Sequence, residues 1–293
     1  MKTPLPNYRS LLFVPAHIER FVSSAHTRGA DAIILDLEDS VPANLKASAR
    51  LTLERAVNQI NSHGIGVGVR INRDLRNTVQ DLEAAVVQGV RTVLVPKASS
   101  AGHLQLIDEL ITELEMERGL GVGDIQLMAL VETVAGLAQV NELAKACTRL
   151  TGIAIGSEDL SADGHFEPTP DMLFHPCQQI VFAARAAGIQ AFGFPGSIAE
   201  YGDLERFAAS VNQGRAMGFD GALCIHPSQV AILNQAFEPN EQDIAHAKRV
   251  IEAFNAAIAE QRGAVVLDGK MVDLPVVTRA RAVLSQVRQK TQP

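Results

Sequence analysis

Eight short apolar runs rich in β-branched residues alternate along this chain with longer segments of helical period, and few folds accommodate that alternation. The runs fall at 9–15, 31–37, 66–71, 92–96, 125–131, 152–155, 190–194 and 221–225. Strands separated by a helix return to the same sheet in parallel, because the crossover brings the chain back to its starting edge. Two of the helical stripes are plain: Leu45, Ala49, Leu53, Val57 and Ile60 follow i, i+4, i+8, i+12, i+15, and Leu104, Ile107, Ile111 and Leu114 repeat the pattern. Gly29, Gly64, Gly89, Gly188 and Gly218 stand where left-handed helix caps are expected. Eight pairs completed by residue 237 predict a (βα)8 TIM barrel over 1–237. An open doubly wound sheet is the alternative. The count of eight and the absence of a glycine-rich phosphate turn after the first strand disfavour it.

Beyond the barrel, 238–262 carries a further amphipathic helix with Ile244, Ala247, Ile251, Phe254 and Ile258 on one face. The tail, 263–293, reads as a strand-like run, a turn at Asp268–Gly269, then Pro275 and a basic helix. So ordered a segment outside a complete barrel needs a surface to pack on. It is either a clasp on its own barrel or a lid over an active site, its own or a neighbour's.

A formal charge of −7 over 293 residues, with no Trp and two Tyr, argues against a nucleic-acid surface or an anionic membrane. Cys147, Cys177 and Cys224 are odd in number and widely spaced, which fits reduced thiols rather than disulfides or a zinc site. The first apolar run ends at Pro15, too short for a signal-peptide core or a membrane span. A soluble, cytoplasmic protein is expected.

In such barrels chemistry is done at the C-terminal strand ends. There the sequence places Asp36, Glu38 and Asp39 after strand 2, Arg70 and Asn72 after strand 3, and Lys97 after strand 4. Glu132 follows strand 5, Gly156, Ser157, Glu158 and Asp159 follow strand 6, and His226 follows strand 8. Ionisable groups from six strands converging on one rim would repel unless ligands separate them. Hard carboxylate oxygens without His or Cys partners suit Mg²⁺, or Mn²⁺, rather than zinc. Glu132 and Asp159, on neighbouring strands, are the expected metal ligands. Asp36, Glu38 and Asp39 would hold metal-bound waters, with a helix cap as the plainer role for Asp39. Arg70 can clamp a substrate carboxylate with its two-pronged guanidinium, or neutralise Asp36 or Glu38. Lys97 and His226 can brace the carboxylates, and the Gly156–Ser157 turn can offer backbone N–H groups to a substrate carboxylate. Metal, guanidinium and backbone donors together describe a site for a 2-oxo acid, with a Lewis acid positioned for carbon–carbon bond chemistry next to a carbonyl.

At these residues the chain resembles the citrate lyase β-subunit-like family, relatives of the class II aldolases in the HpcH/HpaI superfamily. The stretches RSLLFVPA, ADAIILDLEDSV, VRIN, VLVPKA, LVETVAGL, GSEDLSAD, FDGALCIHPSQV and DGKMVDLPVVTRAR carry the resemblance over nearly the whole length. It implies magnesium at Glu132 and Asp159, a substrate carboxylate at Arg70, and an acyl-thioester partner. It also implies a trimer or hexamer in which one subunit's tail covers the next subunit's site, with Asp273 as the acid/base at the acetyl-thioester carbon. Asp39, where the aldolases look to carry His, points to Claisen-type chemistry. Ile18–Glu19 stand where many relatives have Arg-Pro, Ala222 where a Lys is common, and GFPGSIAEYGD replaces an aspartate-containing loop. The activity so implied is cleavage of a 3-hydroxy-3-carboxyacyl-CoA thioester, foremost (3S)-citramalyl-CoA to acetyl-CoA and pyruvate. Citryl-thioester and malyl-CoA (or malate synthase-like) chemistry are the alternatives, with coenzyme A or an acyl-carrier protein as the thioester handle. A barrel that has lost turnover and serves as a scaffold is the rival from another class.

Overall fold

The computed structural model describes residues 6–287, so the first five residues of the expected barrel and 288–293 of the expected lid lie outside it. The strands are β1 (Ser10–Pro15), β2 (Ala32–Asp36), β3 (Gly66–Arg70), β4 (Val90–Val95), β5 (Gln126–Val131), β6 (Leu150–Ile155), β7 (Gln190–Phe192) and β8 (Ala222–Cys224). Between them run α1 (Glu19–Ser24), α2 (Lys46–Asn61), α3 (Leu75–Ala85), α4 (Ala101–Glu117), α5 (Val134–Ala138), α6 (Val140–Leu143), α7 (Ser157–Gly164), α8 (Pro170–Ala187) and α9 (Leu204–Met217). All eight strands pair in parallel in the order β7-β6-β5-β4-β3-β2-β1-β8. A parallel bridge between Phe192 and Gly221 joins the two outer strands and closes the barrel. Each expected run became a strand.

The core is set by the strand period of two. Leu11, Ala32, Ile34, Leu94, Met128, Leu130, Ala154, Phe192 and Leu223 fill the barrel interior, with Tyr8 beneath them. The alternate residues, such as Leu12, Ile33, Leu35, Val93 and Ile153, are buried under the helices. The α4 stripe is buried as expected. In α2 Ala49, Leu53, Val57 and Ile60 are buried, but Leu45 is exposed: it belongs to a 3-10 turn set by Pro42, and the helix starts at Lys46. All five anticipated glycines have positive φ.

The chain falls into two compact units that meet between Gln235 and Ala236, within α10 (Pro227–Phe237). In the second unit the helix and the tail share one core. There α11 (Glu241–Ala259) packs with the hairpin β9 (Val265–Leu267) and β10 (Lys270–Val272) and with α12 (Leu274–Ser285), around Ala247, Val250, Phe254, Val272, Val277 and Ala280. Ile258, expected on the buried face of α11, is exposed. The face chosen by α12 runs through Val250 and Ala257 instead. Asp268 and Gly269 both take positive φ, the geometry a two-residue hairpin turn demands. No helix among the described residues is long and apolar enough to cross a membrane.

Candidate active site

The same period of two that buries the core also delivers the functional groups. On β2, Ala32 and Ile34 point inward, so Asp36 is the next inward side chain; on β5, Met128 and Leu130 lead to Glu132. On β3 the inward positions are Gly66, Gly68 and Arg70. A Cβ on Gly68 would come within 2.6 Å of Ile34 Cδ1 and 2.7 Å of Thr92 Cγ2, so neighbouring side chains fill the space beneath the arginine. Pairing sets Pro15, Asp36 and Arg70 at one level. Above the apolar core, at the C-terminal strand ends, lies a cavity of about 410 Å³ lined by Asp36, Arg70, Glu132, Gly156, Ser157 and Asp159 on one side.

Arg70 turns its fork on Asp36: Nε donates to Oδ1 and Nη2 to Oδ2, both at 2.7 Å. Asp36 also accepts from the Glu38 N–H at 2.9 Å, from the Ser40 N–H at 3.1 Å and from the Ser40 hydroxyl. Burial alone would raise its carboxyl, but the Arg70 fork and these donors outweigh burial and hold it below the usual range. An oxygen pair so fully engaged has no position left for metal-bound water, so Asp36 orients Arg70 instead. The guanidinium stacks over the Phe13 ring at 4.6 Å. Its Nη1 lies 3.0 Å from Glu38 Oε2 without the geometry of a hydrogen bond, which leaves that buried oxygen unpaired. The Nε–Nη2 fork of Arg70 is thus taken by Asp36, and its Nη edge is the part left over for another ligand.

Lys97 ties the carboxylates together. Its ammonium is 2.7 Å from Glu38 Oε1, 3.4 Å from Asp39, 3.9 Å from Glu132 Oε1 and 4.0 Å from Asp159 Oδ1. Its own N–H donates to Glu132 Oε1 at 2.8 Å from a left-handed backbone, φ 48°, unusual for a non-glycine residue. Asp39 is exposed and caps no helix, since Pro42 precedes the turn that follows it. Glu132 is 1% exposed; burial first, then Asp159 and Glu38, push its carboxyl up to about 8 against the pull of Lys97. Among the described residues no three His, Cys, Asp or Glu side chains are grouped to hold a metal. Magnesium is the ion this fits, because it takes one or two protein carboxylates and leaves its other positions to water and substrate. A buried carboxylate that neighbouring carboxylates push up despite Lys97 is suited to holding a cation. Gly156 shapes it: a Cβ there would stand 2.5 Å from Glu132 Oε2 and 2.7 Å from Glu132 Cβ.

The Gly156 N–H is not free for a substrate, since it donates to Val131 O at 3.0 Å. The donors at this turn are instead the first N–H groups of α7, which start at Ser157, have no side-chain cap at Gly156 and no intrahelical acceptor. His226 does not brace the carboxylates. It stacks on Tyr201 with ring centroids 4.8 Å apart, and its Nδ1 meets Ser228 Oγ. Asn72 is also absent from the cavity, held by Asp81, Lys46 and Leu37 O. Sequence reasoning missed the opposite wall, Phe13, Phe194, Ile198, Leu223 and Ile225, and the link from Ser197 Oγ to Glu158 Oε1 at 2.5 Å. It missed Gln229 as well, whose amide bonds both loops of that wall. Phe13, Leu223, Ile225 and Gln229 lie in stretches that carry the resemblance, and Phe194, Ser197 and Ile198 in the departure after β7, but nothing in those stretches told that they form one wall. Asp273, in the second unit, caps α12 by accepting from Val276 N–H at 3.4 Å and is half-buried.

A family profile described as HpcH/HpaI aldolase/citrate lyase matches residues 9–227. Citrate lyase subunit beta of Haemophilus influenzae is 39% identical over 286 residues, covering 96% of this chain and 97% of that one. A (3S)-malyl-CoA thioesterase of Cereibacter sphaeroides is 34% identical over 283 residues, covering 95% and 94%. Among solved structures, CitE of Mycobacterium tuberculosis in complex with magnesium, acetoacetate and coenzyme A superposes with a TM-score of 0.74 at 31% identity, over 94% of this chain and 97% of that one.

Proposed function

The chain belongs to the HpcH/HpaI aldolase/citrate lyase family, and on that premise we propose that it is a magnesium-dependent lyase of 3-hydroxy-3-carboxyacyl-CoA thioesters, with (3S)-citramalyl-CoA its foremost substrate. That it is a carbon–carbon lyase of the oxo-acid type follows from the family and its CitE neighbours. The observation that carries the finer reading is the buried Glu132 carboxylate beside Asp159, facing Arg70 and the open end of α7 across one cavity. Magnesium on Glu132 and Asp159 would supply a Lewis acid for the oxyanion that develops at the carbonyl. Arg70, fixed by Asp36 and Phe13, holds the substrate carboxylate through its Nη edge, and the α7 N–H groups receive its other oxygen. Lys97 anchors Glu38 and, through its N–H, fixes the orientation of Glu132.

Asp273 is assigned as the acid/base. In the cleavage direction it returns a proton to the acetyl-thioester α-carbon after the carbon–carbon bond breaks, and in synthesis it removes that proton. A neighbouring subunit's tail brings it in, within a trimer or hexamer. The open hairpin face supports this: Val266 and Met271, paired across the hairpin, are 71% and 65% exposed, and Leu274 beside Asp273 is 59% exposed. Apolar side chains so bare on one small face call for a partner surface. Manganese would serve the same oxygen ligands. The free Cys147, Cys177 and Cys224 support a reducing, cytoplasmic setting.

The reading is tested by incubating the protein and Mg²⁺ with citramalyl-, malyl-, β-methylmalyl- and citryl-CoA and measuring 2-oxo acid released. Turnover of citramalyl-CoA above the others, abolished by EDTA and restored by Mg²⁺ or Mn²⁺, is expected. No release from any thioester would leave the scaffold reading standing.

A further inference from the structure

The cavity is divided. Going round the barrel, the charged lining comes from the ends of β2, β3, β5 and β6, whereas β7, β8 and β1 deliver Phe194, Leu223, Ile225 and Phe13, joined by Ile198 of the loop after β7. Phe194 and Leu223 are 4% and 5% exposed. Of the charged side chains lining the cavity, Arg70 is the one cation, against Asp36, Glu132, Glu158 and Asp159. That cation is already committed to Asp36 and Glu38 on one side. With Lys97 engaged by Glu38 and close to Glu132 and Asp159, and the proposed magnesium held by the latter two, all positive charge stands on the polar side of the cavity, and the opposite side offers a substrate hydrocarbon alone.

The apolar wall is built, not incidental. Gln229 is completely buried; its Oε1 accepts from the N–H of Ile225 at 3.0 Å and of His226 at 3.1 Å, and its Nε2 donates to Ile198 O at 2.9 Å. One amide thus locks the loop after β8 to the loop after β7 and sets Ile225 and Ile198 side by side. Ser197 fastens the same loop to Glu158 on α7. No charged group of the wall could receive a second anionic end.

We propose that this wall, positioned by Gln229, selects the 2-oxo acid half of the substrate for an apolar substituent and rejects one that bears a second carboxylate. The inference rests on the proposed function and specifies the acid class: 2-oxo acids with a methyl or larger alkyl group, in preference to oxaloacetate. Each added methylene that the wall covers should tighten binding roughly fourfold, the factor equivalent to burying one such group. A second carboxylate left facing hydrocarbon and Glu158 should weaken it about tenfold or more.

The test is binding of free pyruvate, 2-oxobutyrate, 2-oxoisovalerate and oxaloacetate to the Mg²⁺-loaded full chain by calorimetry, which needs no variant and no turnover. An order in which 2-oxobutyrate exceeds pyruvate and both exceed oxaloacetate is expected. Ile198→Arg, a change on a partly exposed loop residue, should reverse the preference between 2-oxobutyrate and oxaloacetate. Gln229→Ala should flatten the alkyl series without changing Mg²⁺ affinity, a pattern that general destabilisation would not give. If no 2-oxo acid binds, the proposed function falls and this inference with it. If oxaloacetate binds as tightly as 2-oxobutyrate in the wild type, the inference alone is overturned. The same holds if affinity is flat along the alkyl series and the variants change only the Michaelis constant for the thioester, because the wall would then serve the thioester arm.

Discussion

Loading magnesium should expel a proton, and the structure sets how many. Glu132 sits at about 8 because it is buried and lies beside Asp159 and Glu38, so near neutrality the metal-free carboxyl is mostly protonated. A metal ligand must be ionised to bind. The apparent dissociation constant therefore scales as one plus ten to the power of 8 minus the pH, and should fall about 25-fold between pH 6.5 and pH 8.5. Proton release should be nearly one per metal at pH 6.5 and about a quarter at pH 8.5. Stability runs the same way. The folded value exceeds the ordinary 4.5, so the metal-free protein holds more protons than its unfolded chain between those limits, and loses stability as pH rises through them. The span of 3.5 pH units at about 1.4 kcal/mol each caps that loss near 5 kcal/mol, and bound metal offsets it. Titrating metal-free protein with MgCl₂ by calorimetry, at three pH values and in two buffers of different ionisation enthalpy, measures both quantities. A dissociation constant independent of pH, with no proton released at pH 6.5, would refute the assignment of Glu132 as a buried ligand. Glu132→Gln should remove both the proton and most of the affinity.

Four further outcomes follow from the site and the proposed function. Gly156→Ala should keep the fold, as judged by circular dichroism, yet weaken Mg²⁺ binding by about tenfold or more, because the new Cβ competes with the Glu132 side chain for space; unchanged affinity would show that Glu132 can bind metal from another position. Arg70→Lys keeps the charge but loses the planar grip on Asp36 and Phe13, so the Michaelis constant should rise by about tenfold or more in steady-state assays; if both kinetic constants stay put, Arg70 is only a counter-ion. Asp273→Asn should retain Mg²⁺ and 2-oxo acid binding while losing turnover and solvent exchange of acetyl-thioester α-protons by ~10²–10⁴. Oligomers co-expressed from Asp273→Asn and Arg70→Ala chains should regain part of the activity, and no recovery despite mixing proven by mass would reject a lid supplied by a neighbour.

The barrel was legible because each strand buries both faces, which leaves continuous apolar runs that little else produces. Helical stripes were legible only where one face dominates. Leu45 fits the period of α2, yet a period does not mark where a helix begins, and Pro42 imposes a turn first. Ile258 continues the α11 pattern, but the apolar residues of that helix spread over two faces, and the choice between them belongs to α12. At the site, residue type and strand end were enough to collect Arg70, Lys97, Glu132 and Asp159 on one rim. They were not enough to say who bonds whom. Asp36 has the same chemistry as Asp159 on paper, and only the inward register opposite Arg70 turns it into a brace. Gly156 looked like a donor, and its N–H proved to belong to Val131. Gln229 stands in FDGALCIHPSQV, yet nothing in that stretch tells that its amide joins two loops; its role exists only where they meet.

The seam of the barrel has a mechanical meaning. Where β5 and β6 zip together along 127–131, β7 and β8 are held by the Phe192–Gly221 bridge and the hydrogen bonds Gly193 N–H to Gly221 O and Asp220 N–H to Ala191 O. Gly221 has no room for a side chain there, since a Cβ would lie 2.1 Å from Tyr8 O. A closed cylinder yields first at its thinnest join, and local opening costs least where ladder bonds are few. The fewest ladder pairs of this barrel therefore lie between β7 and β8, directly beneath its apolar arc. The charged arc stands over the longer ladders from β2 to β6. Any opening of that join would fall under the loops that Gln229 ties together, on the far side of the cavity from Glu132 and Asp159.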